Sequence, residues 1–316
     1  MDALITMLTN VILFVCLAIP GVILSKFKLI KGKESNTLST ILLYVGTPFL
    51  IIKNLVSIKF TVSIALILLA TALIASAYVF FSYYITKPLL SRKINKDTRG
   101  AMQFSSIMAN SGFLGIPLAT AVFPNEPYIL TIITCLSVVN IIFITSMGNY
   151  CISHNKKDIK ISKIILSPFV ISFVIGIILN LIGITSFIPQ SNKFINDLAG
   201  VVGPLSMIVL GLKMGEVKLK DIFINLKLYY VSFLKLVFQP LLITFIFVLA
   251  NLFIPIDREL IIGFFIIFAM PSATLGISYI DKYEGDVKNG VSFILGTTIL
   301  SIITLPILYF LVLLMI

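Results

Sequence analysis

The sequence predicts an all-α integral membrane protein of ten transmembrane helices, arranged as two inverted five-helix repeats. Three observations lead there. The chain of 316 residues is 59% hydrophobic and 12% charged with a mean hydropathy of +1.10, more apolar surface than one soluble core of that length can bury. Its apolar runs are long enough to cross hydrocarbon, which takes about 20 residues per helix. Proline landmarks also recur in the two halves at matching intervals.

The first half supplies runs at 4–25, 38–55, 61–85, 101–123 and 128–151, and the second at 161–182, 195–212, 223–253, 260–280 and 291–316. The first run is read as a retained helix, because Asp2 stands where a signal peptide carries positive charge and no small-residue cleavage site follows. The repeats are accordingly 1–152 and 161–316, joined by a short linker at 153–160.

Charge orders these runs. Of 24 lysines and arginines, nineteen fall in the odd-numbered loops, within 26–33 (Lys31 among them), 87–99, 156–163, 213–227 and 282–288. Four fall in even-numbered loops: Lys53, Lys59, Lys193 and Arg258. Basic residues accumulate on the cytoplasmic side, so this segregation predicts ten crossings with both termini outside. It also removes the alternative reading of the +11 net charge as a nucleic-acid surface. Cys16, Cys135 and Cys151 have no regular spacing, so no disulfide framework is expected. The absence of tryptophan beside abundant Ile, Lys and Asn points to an AT-rich, bacterial genome.

The repeat rests on prolines. Pro48 and Pro117 lie 69 residues apart in the first half, and Pro204 and Pro271 lie 67 apart in the second. Five spans per repeat is odd, so the second copy enters the membrane from the opposite face, as in secondary transporters. Proline removes a backbone donor and clashes with the preceding turn. The runs Asn110-Ser111-Gly112-Phe113-Leu114-Gly115-Ile116-Pro117 and Met270-Pro271-Ser272-Ala273-Thr274-Leu275-Gly276 therefore predict broken fourth and ninth helices, each proline beginning a second half-helix. Irregular backbone at membrane depth must be buried or line a cavity, and two converging helix N-termini favour an anion there. The alternative is a pair of simple kinks repaired by neighbouring helices.

Asn110 is the first polar candidate for contacting such an anion, since its amide both donates and accepts. Asn10 and Asn140 read better as interhelical glue. Lys235, about 13 Å into its span at 1.5 Å per residue, is the intramembrane charge; it either attracts an anion or donates to carbonyls at a broken helix, the second reading being favoured. No carboxylate lies at mid-span, and His154 with Cys151 does not make a zinc site. No hydrolase, metalloprotease or P-loop motif is present, so neither an enzyme nor an ATP-driven pump is expected, and no cofactor or metal.

Taken with Tyr44-Val45-Gly46-Thr47-Pro48-Phe49-Leu50, Lys235-Leu236-Val237-Phe238-Gln239-Pro240, Ala269-Met270-Pro271 and Leu305-Pro306, the Asn-x5-Ile-Pro run at Asn110 resembles the auxin efflux carrier family. That family joins plant PIN auxin exporters to bacterial permeases. The resemblance implies the bile acid symporter/NhaA-like fold, with a scaffold and a transport domain each drawn from both repeats and helices 4 and 9 crossing at their prolines. It implies substrate binding at that crossing, by Asn110, Gly115, Pro117, Pro271, Ser272 and Thr274, with Pro48 and Ile51 beside it. It also implies homodimers and elevator-type transport of a small organic anion, auxin-like or a dicarboxylate, across the bacterial cytoplasmic membrane. Two features depart from the plant pattern: Ile51 stands where the plant proteins carry serine, and only about 152–160 separates the fifth and sixth spans. Alternative readings are a cation-coupled organic-solute symporter and a non-transporting receptor with the same fold. Lipid is the other expected partner, and nucleic acid is not.

Overall fold

A computed structural model describes residues 2–30, 32–184 and 188–316, so Lys31 lies outside the described residues. The protein is helical, and among the described residues the single strand-like feature is one isolated antiparallel bridge, Ala109 with Ser272. Among the described residues, seven helices are long and apolar enough to cross a membrane: α1 (Leu8–Lys26), α2 (Glu34–Val56), α3 (Val62–Leu89), α6 (Pro127–Ser153), α8 (Pro189–Gly215), α9 (Leu226–Asn251) and α12 (Val287–Met315). The other three expected runs fall on shorter pieces. These are α4 (Lys96–Ile107) followed by α5 (Ser111–Val122), α7 (Pro168–Ile182), and α10 (Arg258–Ala269) followed by α11 (Leu275–Lys282).

Proline governs the local geometry. Turns of π-helix at Leu42–Gly46, Ser111–Gly115 and Phe233–Phe238 each end just before Pro48, Pro117 and Pro240. A proline cannot donate to the fourth preceding carbonyl and its ring crowds that turn; widening the turn by one residue relieves the clash without ending the helix. Pro48 and Pro240 therefore only modulate their helices.

Glycines set the closest packing. A Cβ at Gly21 would stand 2.1 Å from the Ile208 carbonyl oxygen and one at Gly211 would stand 2.0 Å from that of Ala18, so the backbones of α1 and α8 touch directly. Such small-residue contacts are a main source of helix association where lipid is as apolar as leucine. Elsewhere α7 packs on α2 through Gly176 against Leu55, and α10 packs on α6 through Gly263 against Ile132. α3 and α9 expose large apolar side chains such as Leu66, Leu73, Phe233 and Phe245, whereas α6 and α10 are almost wholly enclosed.

The basic loops gather at one face. Thr98 donates to Asp286, Asn225 donates to the Asn289 side chain at 2.7 Å, and Tyr230 donates to the Leu89 carbonyl at 3.0 Å. Gly100 lies against His154, and Gly215 against Ser25. At the other end of the helices, Asn180 donates to the Leu55 and Ile58 carbonyls and Tyr128 donates to Asp257.

Candidate functional site

Two helix breaks meet inside the bundle. The chain leaves α4 at Met108, whose ψ of 120° is extended, and re-enters helix at Ser111. It leaves α10 at Met270, ψ 145°, pushed extended by the proline that follows, and re-enters at Leu275. Both positions correct the expectation that each proline begins a half-helix. Pro117 sits one π turn inside α5, nine residues after the exit, and Pro271 lies within the break itself. The breaks pair with each other: the Asn110 amide donates to the Pro271 carbonyl at 2.8 Å and the Ala273 amide donates to the Met108 carbonyl at 2.9 Å.

Three neighbouring helices satisfy what remains. From α6, the Asn140 Nδ2 donates to the Ala109 carbonyl at 2.6 Å and to Ser111 Oγ at 2.8 Å, and its Oδ1 accepts from the Ala109 amide at 3.4 Å. From α12, Thr297 Oγ1 accepts from the Ser272 amide at 3.2 Å and donates to Ser272 Oγ at 3.0 Å, while Ser272 Oγ donates to the Ser105 carbonyl at 2.6 Å. From α9, the fully buried Lys235 Nζ donates to the Phe268 carbonyl at 3.1 Å. That carbonyl would have accepted the Ser272 amide had α10 continued. A cation at the C-terminal end of a half-helix also opposes the negative pole of its dipole.

Three polar side chains at the crossing, Asn110, Thr274 and Ser105, have hydroxyl or amide groups without a partner among the described residues. Asn110 is 5% exposed and lines the small cavity beside it; its side-chain amide has no hydrogen-bond partner among the described residues, and only its backbone is engaged, its carbonyl accepting from Leu114 at 3.2 Å and Gly115 at 3.0 Å. The Thr274 and Ser105 hydroxyls are buried and unpartnered. Beside Asn110 lies a cavity of about 10 Å³, the threshold for one water, walled by Gly112, Phe113, Phe169, Ala273 and Leu275 among others. It abuts a vestibule of about 440 Å³ that shares Ile141, Phe169 and Leu275 with it and is bordered by Tyr44, Ser162, Lys163 and Tyr279. Phe169 divides the two, its ring 2.8 Å from where a Cβ on Gly112 would stand. The vestibule thus ends at Phe169, on the far side of which lies the cavity lined by Asn110.

The crossing brings together Asn110, Pro271, Ser272 and Thr274, and Gly115 packs against Met270 and Ile267. Pro117 is buried one turn along α5. Pro48 and Ile51 line neither cavity, and Ile51 is fully buried in the core. Sequence reasoning passed over Thr297, Ser105 and Phe169. Threonine and serine in apolar helices are too common to signal a role, and only the three-dimensional pairing singles these out.

Residues 6–309 match the family model described as Membrane transport protein. A relative from Methanothermobacter thermautotrophicus, described as an uncharacterized transporter, is 27% identical over 301 residues, which cover 92% of this chain and 93% of that one.

Proposed function

The chain belongs to the Membrane transport protein family, the auxin efflux carrier-like transporters, and from that premise we propose that it carries a small organic anion across the cytoplasmic membrane by elevator-type alternating access. The observation that carries the proposal is the unmatched amide of Asn110. That amide lines a cavity and has no partner among the described residues, and a hydrogen bond to a charged ligand is worth about 1.5–3 kcal/mol. A carboxylate offers acceptor oxygens to its Nδ2. The starts of α5 and α11 present first-turn N–H groups to the same place, and their dipoles favour negative charge.

The repeat underlies the alternating access we propose: α1 packs on α8 as α7 packs on α2, the exchange expected of two copies related by inversion. With basic loops inside, the vestibule opens toward the cytoplasm, which makes this the inward-facing arrangement. Lys163 at its edge would draw anions toward Phe169. Substrate-coordinating Asn110, Thr274 and the segment around Pro271 and Ser272 would then travel with the transport domain.

Reconstitution into liposomes, with charge displacement recorded on a solid-supported membrane, tests this. A panel of mono- and dicarboxylates including indole-3-acetate should give saturable currents that Asn110→Ala abolishes. Silence across the panel in folded protein, or currents unchanged by Asn110→Ala, would refute the site and the substrate class together.

A further inference from the structure

A second polar cavity lies away from the crossing, where the ends of α3, α4 and α6 meet at the basic-loop face. Its volume is about 320 Å³, at the lower edge of the ~300–1,000 Å³ that ligand pockets occupy. Tyr83 and Lys87 border it from α3, Lys96, Arg99 and Gln103 from α4, and Tyr150 and His154 from the end of α6. An adjoining recess shares Lys87 and Arg99 and adds Arg92.

The chemistry of this basin is one-sided. Four fixed cations surround it against one carboxylate, Asp97, which stands 3.4 Å from His154 Nε2. Neither the half-buried guanidinium of Arg99 nor the ammonium of Lys96 has a hydrogen bond or ion pair among the described residues. Lys87 rests over the Tyr83 ring at 5.5 Å. His154 Nε2 is buried, and despite the nearness of Asp97 it makes no hydrogen bond. Burial, then the charges of Lys96 and Arg99, hold the His154 imidazole below its ordinary value against the opposing pull of Asp97.

The basin is also built. Gln103 Nε2 donates to the Tyr83 carbonyl at 3.1 Å and to Thr86 Oγ1 at 2.7 Å, which ties α4 to α3 beneath it. A Cβ on Gly100 would stand 2.2 Å from the Cys151 carbonyl oxygen, so α4 and α6 close its floor backbone against backbone. Immediately beside it, Phe80, Phe81 and Tyr84 of α3 are exposed, an apolar and aromatic face of the kind that lies against acyl chains near the interface.

We propose that this basin is a binding site for a phosphate group, presented by the headgroup of an anionic phospholipid whose chains lie along Phe80, Phe81 and Tyr84. Arginine's fork matches phosphate oxygens bidentately, lysines add point charge, and basic pockets between helices at a membrane face hold such headgroups. The site takes no part in the carboxylate site at Asn110. Failure of transport at the crossing therefore leaves it standing, and the reverse holds as well.

His154 is the one histidine of the chain, so isotopically labelled histidine gives a single side-chain signal to follow. The full chain is placed in phosphatidylcholine nanodiscs with or without phosphatidylglycerol, and retained lipid is counted by native mass spectrometry. The expected result is selective retention of phosphatidylglycerol with a shifted His154 signal. Lys96→Gln, at an exposed and unbonded position, should weaken retention about fivefold, the effect of one charge near an anionic headgroup. Arg99→Gln should weaken it tenfold or more, while Lys218→Gln, a lysine outside the basin, should change nothing. Equal losses in all three variants, or no preference for the anionic lipid, would overturn the proposal. A His154 shift with inorganic phosphate in pure phosphatidylcholine, and none with phosphatidylglycerol, would overturn the lipid as the source and assign the same groups to free phosphate.

Discussion

Two asparagines face one crossing with opposite thermodynamic roles, and replacing each by alanine separates them. Asn140→Ala deletes the two short bonds to the Ala109 carbonyl and Ser111 Oγ and the longer one from the Ala109 amide. Ala109 is fully buried, so its amide and carbonyl are both left without that partner. At about 1–3 kcal/mol for each orphaned group the loss is about 2–6 kcal/mol, and because the unfolded chain in a micelle also finds partners, about 2–4 kcal/mol is expected. Asn110→Ala removes a side chain that bonds to nothing in the described protein, so stability should stay within about 1 kcal/mol of the parent. Its cost should appear in transport instead: a hydrogen bond to a charged ligand is worth about 1.5–3 kcal/mol, or about a 10- to 150-fold loss of apparent affinity. Reversible unfolding in mixed SDS micelles, followed by circular dichroism because the chain has no tryptophan, gives the first quantity. Liposome uptake gives the second. Equal destabilisation by the two variants would show that Asn110 holds the protein together and would refute its assignment to substrate.

Other perturbations test the surroundings. Thr297→Val keeps shape but strands the Ser272 amide, so it should cost about 1–3 kcal/mol in the same unfolding assay. Its effect should fail to add to that of Ser272→Ala, because the hydroxyls bond each other. Phe169→Ala should merge the vestibule with the cavity beside Asn110, lowering the KM for bulky carboxylates relative to small ones; an unchanged ranking would remove Phe169 as the divider. Burial alone would raise the Asp286 carboxyl, but hydrogen bonds from Thr98 and Asn289 outweigh it and hold Asp286 below the ordinary carboxylate value. A depressed group stabilises above its unfolded value of about 3.9 and loses that contribution as pH falls through its folded value. The stability advantage over Asp286→Asn should therefore be full at neutral pH and shrink below about pH 4.

The membrane character was legible because apolar run length fixes it, and the proline-bearing runs pointed to the two helices that are broken, although in the first of them the proline is not where the helix ends. The position of the breaks was not. Met108 exits helix because its carbonyl and the Asn110 amide bond to Ala273 and Pro271, more than 160 residues away, and no local pattern encodes that bridge. Three of the ten expected crossings proved to be short or divided helices for related reasons. Pro168 starts α7 late, and the two breaks split the other runs. Lys235, whose sequence position left open either drawing an anion or serving carbonyls, donates to the Phe268 carbonyl.

That bond bears on how the unmatched groups should be weighed. Every interruption of a helix in hydrocarbon releases carbonyls and amides that must find partners. Here the releases are met one by one: Phe268 by a lysine, Ala109 by an asparagine, Ser272 by a threonine, and Met108 and Pro271 by the opposite break. Side-chain groups are paired less completely than the backbone: the Ser105 and Thr274 hydroxyls are buried at the crossing without a partner. What separates Asn110 from those hydroxyls is position: its amide has no partner among the described residues and it lines the narrow cavity that borders the vestibule. A buried hydroxyl with no cavity beside it has no room for a ligand, whereas an amide on a cavity wall does, and that difference is why Asn110 is the residue we propose for contact with a ligand oxygen.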